Sequence, residues 1–489
     1  MPPGSTRPRA WYVGWPARLL PGLVPGLLMF AIALVDAGRP VLSWDEIATV
    51  DVARRTPAQI WHLIHSIDAV FGAYYFFMHF WTAAAGATEW DLRFPSIVAM
   101  SGAVALAAEY GRRFLGPIAG TVAGLFLCLM PNTSRYAAEA RPYAFACFFA
   151  MLALLLLHHV LDRPGTARWF AYGCSVLLLG LAHVIALTTL AAHVVVLMLR
   201  RRAGGARRIV ICWCATVGLA LAALTPVFWL GVHERDAQLA WVTPLTLAGL
   251  RSFPGKVVGS VPGAWLLIGL ALRAMWRPLR QVKELTVLVL APVIAVAAAS
   301  VLSAPFWVAR YLLVVLTPLA LLAAVGLGRT TALRLLTVFA LLAFVVYPGQ
   351  RSVRGVDAKN GSDYRGAAEI IKRYEQPGDG VIYRARTRTL RPGIDYYLRQ
   401  DRNRPRDLLL ARSAADVASL RADEYPNPAA HLAGAKRLWL LVDGHYNDPT
   451  TVRPELRPTL ITDYRRTGLW HLHRATLALF VHIDAQTMP

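Results

Sequence analysis

Apolar runs long enough to cross a hydrocarbon core, about 20 residues each, recur along this chain from Leu19 to Tyr347 and then stop. Repetition on that scale constrains the fold severely. In lipid every backbone N–H and C=O has to be satisfied within the protein, and a helix does this locally. Composition agrees: 56% of the 489 residues are hydrophobic and 16% are charged, against roughly 25% charged in an average soluble domain. The expected fold is a polytopic α-helical membrane protein with about eleven spanning helices over residues 1–348 and a water-soluble domain over 349–489.

A formal net charge of +22 is the kind of value that nucleic-acid binding produces, yet most Arg clusters fall in short loops between apolar runs. That is where the positive-inside rule puts cytoplasmic charge, so no nucleic-acid partner is expected. Helices are expected at Leu19–Ala37, Leu92–Tyr110, Pro117–Met130, Tyr143–Leu161, Trp169–Ala186, Leu187–Leu199, Ile209–Leu230, Val257–Leu272, Leu285–Leu302, Tyr311–Gly326 and Leu335–Tyr347. With the basic N-terminus (Arg7, Arg9, Arg18) inside, the markers Arg112-Arg113, Arg163 and Arg168, Arg200 to Arg202 with Arg207-Arg208, Arg273 to Lys283, and Arg329 with Arg334 all land inside. The soluble domain then lies outside the plasma membrane, and Arg54-Arg55 is the one pair out of place. The apolar stretch Leu19 to Leu34 lacks a small-residue cleavage site and is read as an uncleaved first helix.

Residues 39–90 form a long first external loop. Within it, Pro57 to His65 and Tyr74 to Ala85 are rich in Trp, Tyr, Phe and His and are expected to lie along the membrane surface. Cys128, Cys147, Cys174, Cys212 and Cys214 all fall in apolar runs, so they are read as small buried residues rather than a disulfide framework or a zinc site. His62, His65 and His79 lack ligand spacing, and His183 and His193 are expected as satisfied core histidines. No cofactor is expected, and dependence on a divalent metal is left open. Beyond Gly349, a helix over Asp363–Tyr374, a turn at Pro377-Gly378-Asp379-Gly380 and strands at Val381–Tyr383 and Lys436–Val442 predict a small α/β domain with a partly parallel sheet.

A second set of charges sits on the external side, where the positive-inside rule gives no reason for Arg: Asp45, Glu46, Asp68, Arg93, Arg135, Glu139, Arg141 and Arg310. Several adjoin apolar helices, where an unpaired ion is costly. Carboxylates beside arginines suit a reaction in which an acid side chain takes a hydroxyl proton while guanidinium groups hold a phosphate. The same residues also suit plain ion pairing that seats loops on helix ends. Spacing alone does not separate the two.

The sequence also resembles a known family at these places. Ser43-Trp44-Asp45-Glu46, Asp68 with Gly72-Ala73-Tyr74-Tyr75 and Met78-His79-Phe80-Trp81, and Leu92-Arg93-Phe94-Pro95-Ser96 carry the first part of the likeness. Arg135-Tyr136-Ala137-Ala138-Glu139-Ala140-Arg141-Pro142-Tyr143, Arg310-Tyr311-Leu312 with Pro318, and Asp363-Tyr364-Arg365-Gly366-Ala367-Ala368 carry the rest. Together they resemble the polyprenyl-phosphate-dependent GT-C glycosyltransferases, in particular actinobacterial mannosyltransferase-like members related to the protein O-mannosyltransferase and aminoarabinose transferase group. The resemblance implies inverting transfer of a sugar, with mannose the first choice, from a polyprenyl-phosphate donor to a glycan, protein or glycopeptide acceptor on the outer face. It implies Asp45 as the base, with Glu46 its neighbour in the site and its competitor for that role, and Arg141 or Arg310 as phosphate contacts. Asp68, Tyr74, Tyr75, Arg93, Arg135, Glu139 and Tyr311 are further site candidates. Phe71 departs from the pattern, because many relatives have His there.

A multi-pass lipid or solute transporter or flippase is the competing class. Transporters place polar groups at midplane helix breaks and often repeat one half of the fold; here the helix interiors are nearly free of acids, no repeat is visible, and the polar cluster gathers at one surface. A receptor or scaffold would leave that cluster without a purpose.

Overall fold

The computed structural model describes residues 15–200, 206–328 and 331–486. Arg7, Arg9, Arg201, Arg202 and Arg329, used above as markers of the inner face, lie outside the described residues. Among the described residues, six helices are long and apolar enough to cross a membrane, and Leu247–Val258 with Val261–Ala274 forms a seventh candidate bent by 89°. Shorter apolar helices cover Gly22–Leu34, Pro117–Leu129, Thr166–Ala182 and Val184–Arg200. The outward faces are apolar: Leu302 is 83% exposed and Phe344 78%, as expected of side chains that lipid rather than protein covers. This is a multi-pass membrane protein.

The first half of the chain is α1 (Trp15–Leu34), α2 (Trp44–Ala53), α3 (Pro57–Ile64), α4 (Gly72–Ala85), α5 (Glu89–Phe114), α6 (Pro117–Leu129), α7 (Pro131–Ala137) and α8 (Tyr143–Asp162). Capping boxes start α2, α3 and α5 at Ser43, Thr56 and Thr88, satisfying two end N–H groups reciprocally each time. Helices α5 and α6 meet where Gly111 lies against Gly120, and a Cβ at Gly120 would strike the Ala108 carbonyl oxygen. Residues 39–90 are mostly helical and pack together, with Val52, Ile60, Leu63 and Tyr75 in one cluster. Phe80 and Trp61 remain exposed, and His65 and His79 each bond a backbone carbonyl through Nδ1.

Several boundaries move. The expected helix Ile209–Leu230 continues to Leu239, and the stretch between it and the expected helix Val257–Leu272 holds most of a further helix, Leu247–Val258. The run Tyr311–Gly326 opens as a 3-10 turn, Ala309–Val315. Cys214, read as buried, is exposed, because the helix Ala206–Leu239 presents much of its surface outward. Glu284, immediately before the expected helix Leu285–Leu302, is buried: it accepts hydrogen bonds from Tyr110 (3.0 Å) and from His158 Nε2 (3.1 Å), while Arg200 donates to His158 Nδ1. That cluster lies at the far end of α5 from Arg93. Of the histidines expected to be satisfied, His193 bonds Tyr172 through Nδ1, but His193 Nε2 and His183 Nδ1 are buried without partners among the described residues.

The helix Ala332–Ser352 runs through the expected domain boundary and is followed by an α/β region. Strands β1 (Gly380–Tyr383), β2 (Arg406–Asp407), β5 (Arg437–Asp443), β6 (Tyr464–Leu472) and β7 (Ala475–His482) form one sheet in the order β2-β1-β5-β7-β6, while β3 (Leu410–Arg412) and β4 (Asp423–Glu424) pair separately. Strand β1 runs parallel to β2 and β5, and the β6–β7 hairpin is antiparallel, which gives the partly parallel sheet expected. The helix Tyr364–Tyr374, capped by Asp363, packs on it.

This region is seated on the loop that follows α1. Val41, Ile47, Val50, Met78 and Leu92 share a hydrophobic cluster with Tyr364, Ile371, Ile394, Trp439 and Leu477. The misplaced pair Arg54-Arg55 finds its reason here: Arg55 donates to the Ser419 carbonyl at 2.8 Å, and Arg54 lies over the Tyr396 ring. These two arginines mark a protein interface, to which the positive-inside rule does not apply.

Candidate active site

Helix α2 begins at Trp44, so Asp45 and Glu46 occupy its first turn. Successive helical residues point about 100° apart, and the two carboxylates therefore enter different surroundings. Glu46 turns inward and is fully buried. Its carboxylate accepts from Arg93 Nε (2.8 Å) and Nη2 (3.0 Å), Lys359 Nζ (2.7 Å), the Ala140 N–H (3.0 Å) and the Ser43 N–H (2.9 Å). Burial alone would raise its pKa, but Arg93 and Lys359 outweigh that and hold it well below the usual carboxylate range. A carboxylate with both oxygens occupied in this way is a structural anchor. Lys359 also donates to the Ala138 carbonyl. Burial, followed by the Arg93 charge, brings its pKa down to about 8 against the pull of Glu46 and Glu139.

Asp45 turns the other way. Its side chain is 20% exposed, with Arg310 Nη1 at 3.4 Å from Oδ2 and Arg388 Nη2 at 3.8 Å from Oδ1. Burial pushes its pKa up, and Arg141, Arg310 and Arg388 together bring it below the ordinary value. Asp45 is thus ionised, partly accessible and surrounded by three guanidinium groups.

Arg141 follows α7 and is buried over the face of Phe71 at 4.0 Å, donating weakly to Thr49 Oγ1. Phe71, where the sequence departs from the resemblance, is thus a platform for this cation. Arg310, in the 3-10 turn, is held between the Trp241 ring at 4.8 Å and Tyr311 at 5.9 Å. The Nε atoms of Arg141 and Arg310 are buried without a hydrogen-bond partner among the described residues. Buried polar atoms in folded proteins are nearly always paired, so these two donors lack an acceptor.

The other expected residues divide by role. Arg93 belongs to the Glu46 anchor and also donates to the Ala37 carbonyl. Asp68 adopts a left-handed backbone (φ 63°) and accepts from the Tyr75 hydroxyl at 2.7 Å, bracing the loop beneath Arg141. Tyr74 is buried against Phe77 and Phe145. Arg135 lies 3.8 Å from Glu139. Glu139 is the one carboxyl of this group that burial holds above its ordinary pKa, against Lys359 and Arg135, but its side chain is only 6% exposed. Tyr311 packs on His183. Beside it lies a cavity of about 190 Å³ lined mainly by apolar side chains, among them Val70, Phe71, Val184, Phe228 and Phe306, with His183, Arg235, Gln238 and Tyr311 as polar members. Sequence reasoning missed Lys359, Arg388 and Trp241. Among the described residues no cluster of three or more His, Cys, Asp or Glu side chains suited to a metal is present.

Fold and site define a polytopic membrane protein whose polar centre is built at one end of its helices. The fold is shared with ArnT from Cupriavidus metallidurans bound to undecaprenyl phosphate, at 14% identity over 94% of this chain and 97% of that one, with a TM-score of 0.62. The apo form of that protein matches at 16% identity over 93% and 97%, with a TM-score of 0.61. Residues 73–230 match the family described as dolichyl-phosphate-mannose-protein mannosyltransferase. No curated protein matches the chain. The family model covers residues 73–230 alone, and the likeness to the solved structures is one of fold.

Proposed function

We propose that this protein transfers a sugar, with mannose the first to test, from a polyprenyl-phosphate donor to a hydroxyl of a glycan, protein or glycopeptide, with inversion at the anomeric carbon. One observation carries the reading: three guanidinium groups surround a single accessible carboxylate, and two of them keep buried N–H donors without an acceptor. The phosphodiester of the donor, and still more the phosphate monoester it leaves as, fits that excess of positive charge and supplies the missing acceptors. The apolar cavity beside Arg310 and Phe71 suits the first prenyl units. The family description names a mannosyltransferase acting from dolichyl-phosphate-mannose, and the ArnT structure holds undecaprenyl phosphate; both support a lipid-phosphate donor here.

In this reading Asp45 takes the proton from the acceptor hydroxyl. The acceptor oxygen bonds to the anomeric carbon from the face opposite the phosphate, the bond from that carbon to the phosphate oxygen breaks, and polyprenyl phosphate leaves with one more negative charge. Arg141 and Arg310 stabilise that charge as it develops. The same arginines hold Asp45 acidic while the site is empty. A bound phosphate neutralises them and raises the proton affinity of Asp45 only once donor is present, so donor binding readies the base. Replacing Arg310 by Ala is expected to weaken polyprenyl-phosphate binding by about 10- to 100-fold, the value of one lost charge-assisted contact, as read by titration of the purified protein. Unchanged binding in both Arg310→Ala and Arg141→Ala would remove the phosphate site.

The reading also places the C-terminal region outside the plasma membrane, supported by the Arg distribution between helices. A periplasm-active reporter fused to the C-terminus of the full chain is expected to be active, and a cytoplasm-active one silent. The reverse pattern would put the site on the inner face.

A further inference from the structure

We infer that Arg388, carried by the C-terminal domain, is a positioning residue for Asp45, so that the active site is completed across the domain boundary. The inference rests on the reading of Asp45 as the base. Arg310 from the membrane region and Arg388 from the C-terminal domain approach opposite oxygens of one carboxylate, Oδ2 and Oδ1. Two cations so placed fix the plane of the carboxylate, and a base must be oriented toward the hydroxyl it serves.

The local structure explains how Arg388 is delivered. Strand β1 ends at Tyr383, and residues 384–389 link it to the helix Leu390–Tyr397. Because β1 and β5 are parallel, their carboxyl ends open on one side of the sheet, where open α/β sheets bind ligands; here that side faces Asp45. Both ends of the link are fastened. Arg384 pairs with Asp443 at 3.0 Å, Thr387 Oγ1 accepts the Leu390 N–H at 3.2 Å, and beyond the link Arg391 is held by Asp407 and Glu424. Arg388 itself is 41% exposed, and Asp45 is the one carboxylate within ion-pairing distance of it among the described residues. Arg141 is buried over Phe71, and Arg310 is 21% exposed against 41% for Arg388, so Arg388 is the member of the trio that an arriving acceptor meets first.

The groups facing Asp45 are Arg141, Arg310 and Arg388, with Glu46 beside it and Glu139, Tyr136, Tyr143 and Tyr311 around it. Of the cations, Arg388 is the one whose removal leaves the donor-phosphate contacts in place. The test is the pH dependence of transfer from polyprenyl-phosphate mannose to a membrane extract by Arg388→Gln, Arg388→Lys and wild type, with Asp45→Asn as the reference. Arg388→Gln is expected to lower kcat about tenfold through loss of orientation and to move the acid limb to higher pH, because a cation that favours the ionised base is gone. Arg388→Lys keeps the charge and is expected to restore the acid limb while recovering only part of kcat. A wild-type profile and rate in Arg388→Gln beside an inactive Asp45→Asn would overturn this inference alone. Full turnover by Asp45→Asn would overturn the base assignment and this inference with it.

Discussion

Replacing Asp45 by Asn is expected to reduce sugar transfer by about 10²- to 10⁴-fold, the usual contribution of a positioned base, while the protein folds normally and still binds polyprenyl phosphate. Asn matches Asp in shape but cannot take a proton. The fold should tolerate the change because, among the described residues, the Asp45 side chain accepts no short hydrogen bond; its partners are Arg310 at 3.4 Å and Arg388 at 3.8 Å, and it is partly exposed. Donor binding should persist, since the phosphate is assigned to the arginines and removing an anion beside them does not weaken their hold on another. The measurement is kcat and donor affinity in the same preparation. A loss of affinity with normal kcat would make Asp45 part of the donor cradle instead.

Glu46→Gln is expected to fail in a different way, by losing the fold. The carboxylate neutralises two buried cations, Arg93 and Lys359, at 2.8 and 2.7 Å, and breaking a buried pair by removing one partner costs about 3–5 kcal/mol. Most domains have only 5–15 kcal/mol in total. Lys359 belongs to the link into the C-terminal domain and Arg93 to α5, so the seat between the two regions should loosen first. A thermal melt in detergent should show a marked fall for Glu46→Gln beside a near-normal Asp45→Asn. The Glu46 pKa is lower in the folded protein than in the unfolded chain, so its contribution to stability is complete above the ordinary carboxylate range and is lost as the pH falls below it. A normally stable Glu46→Gln that had lost turnover would move the base to Glu46.

The contrast between these neighbours shows what the sequence could and could not convey. Ser43-Trp44-Asp45-Glu46 followed by an apolar run is an S-x-x-E capping box, and that pattern was visible. Read as a catalytic pair instead, it made Asp45 the base but kept Glu46 as a competitor; the helix start separates them, because Glu46 must fold back toward the Ser43 N–H. The convergence of Asp45, Arg141 and Arg310 was legible from their shared side of the membrane. Arg388 and Lys359 were not, since they reach the site from more than three hundred positions away through a docking that no local pattern records.

The membrane helices were legible because apolar length is a strong local signal, whereas the bend at Gly259-Ser260 and the 3-10 turn around Arg310 depend on packing. The β6–β7 hairpin was missed for a local reason. Tight hairpin turns usually announce themselves with Gly or Asn, and here the turn is His473-Arg474, with Arg474 in the left-handed region at φ 51°. Glu284 escaped notice because its partners, Tyr110 and His158, lie on other helices.

The central claim, sugar transfer from a lipid phosphate by a site centred on Asp45, is tested most directly by one labelling experiment. Purified wild type and folded Asp45→Asn are incubated with radiolabelled polyprenyl-phosphate mannose and a membrane extract, and label is followed from the donor into the acceptor fraction. The account predicts transfer by wild type and near-background labelling by Asp45→Asn. Equal labelling by the two proteins, or no transfer by wild type from any polyprenyl-phosphate sugar, would contradict it.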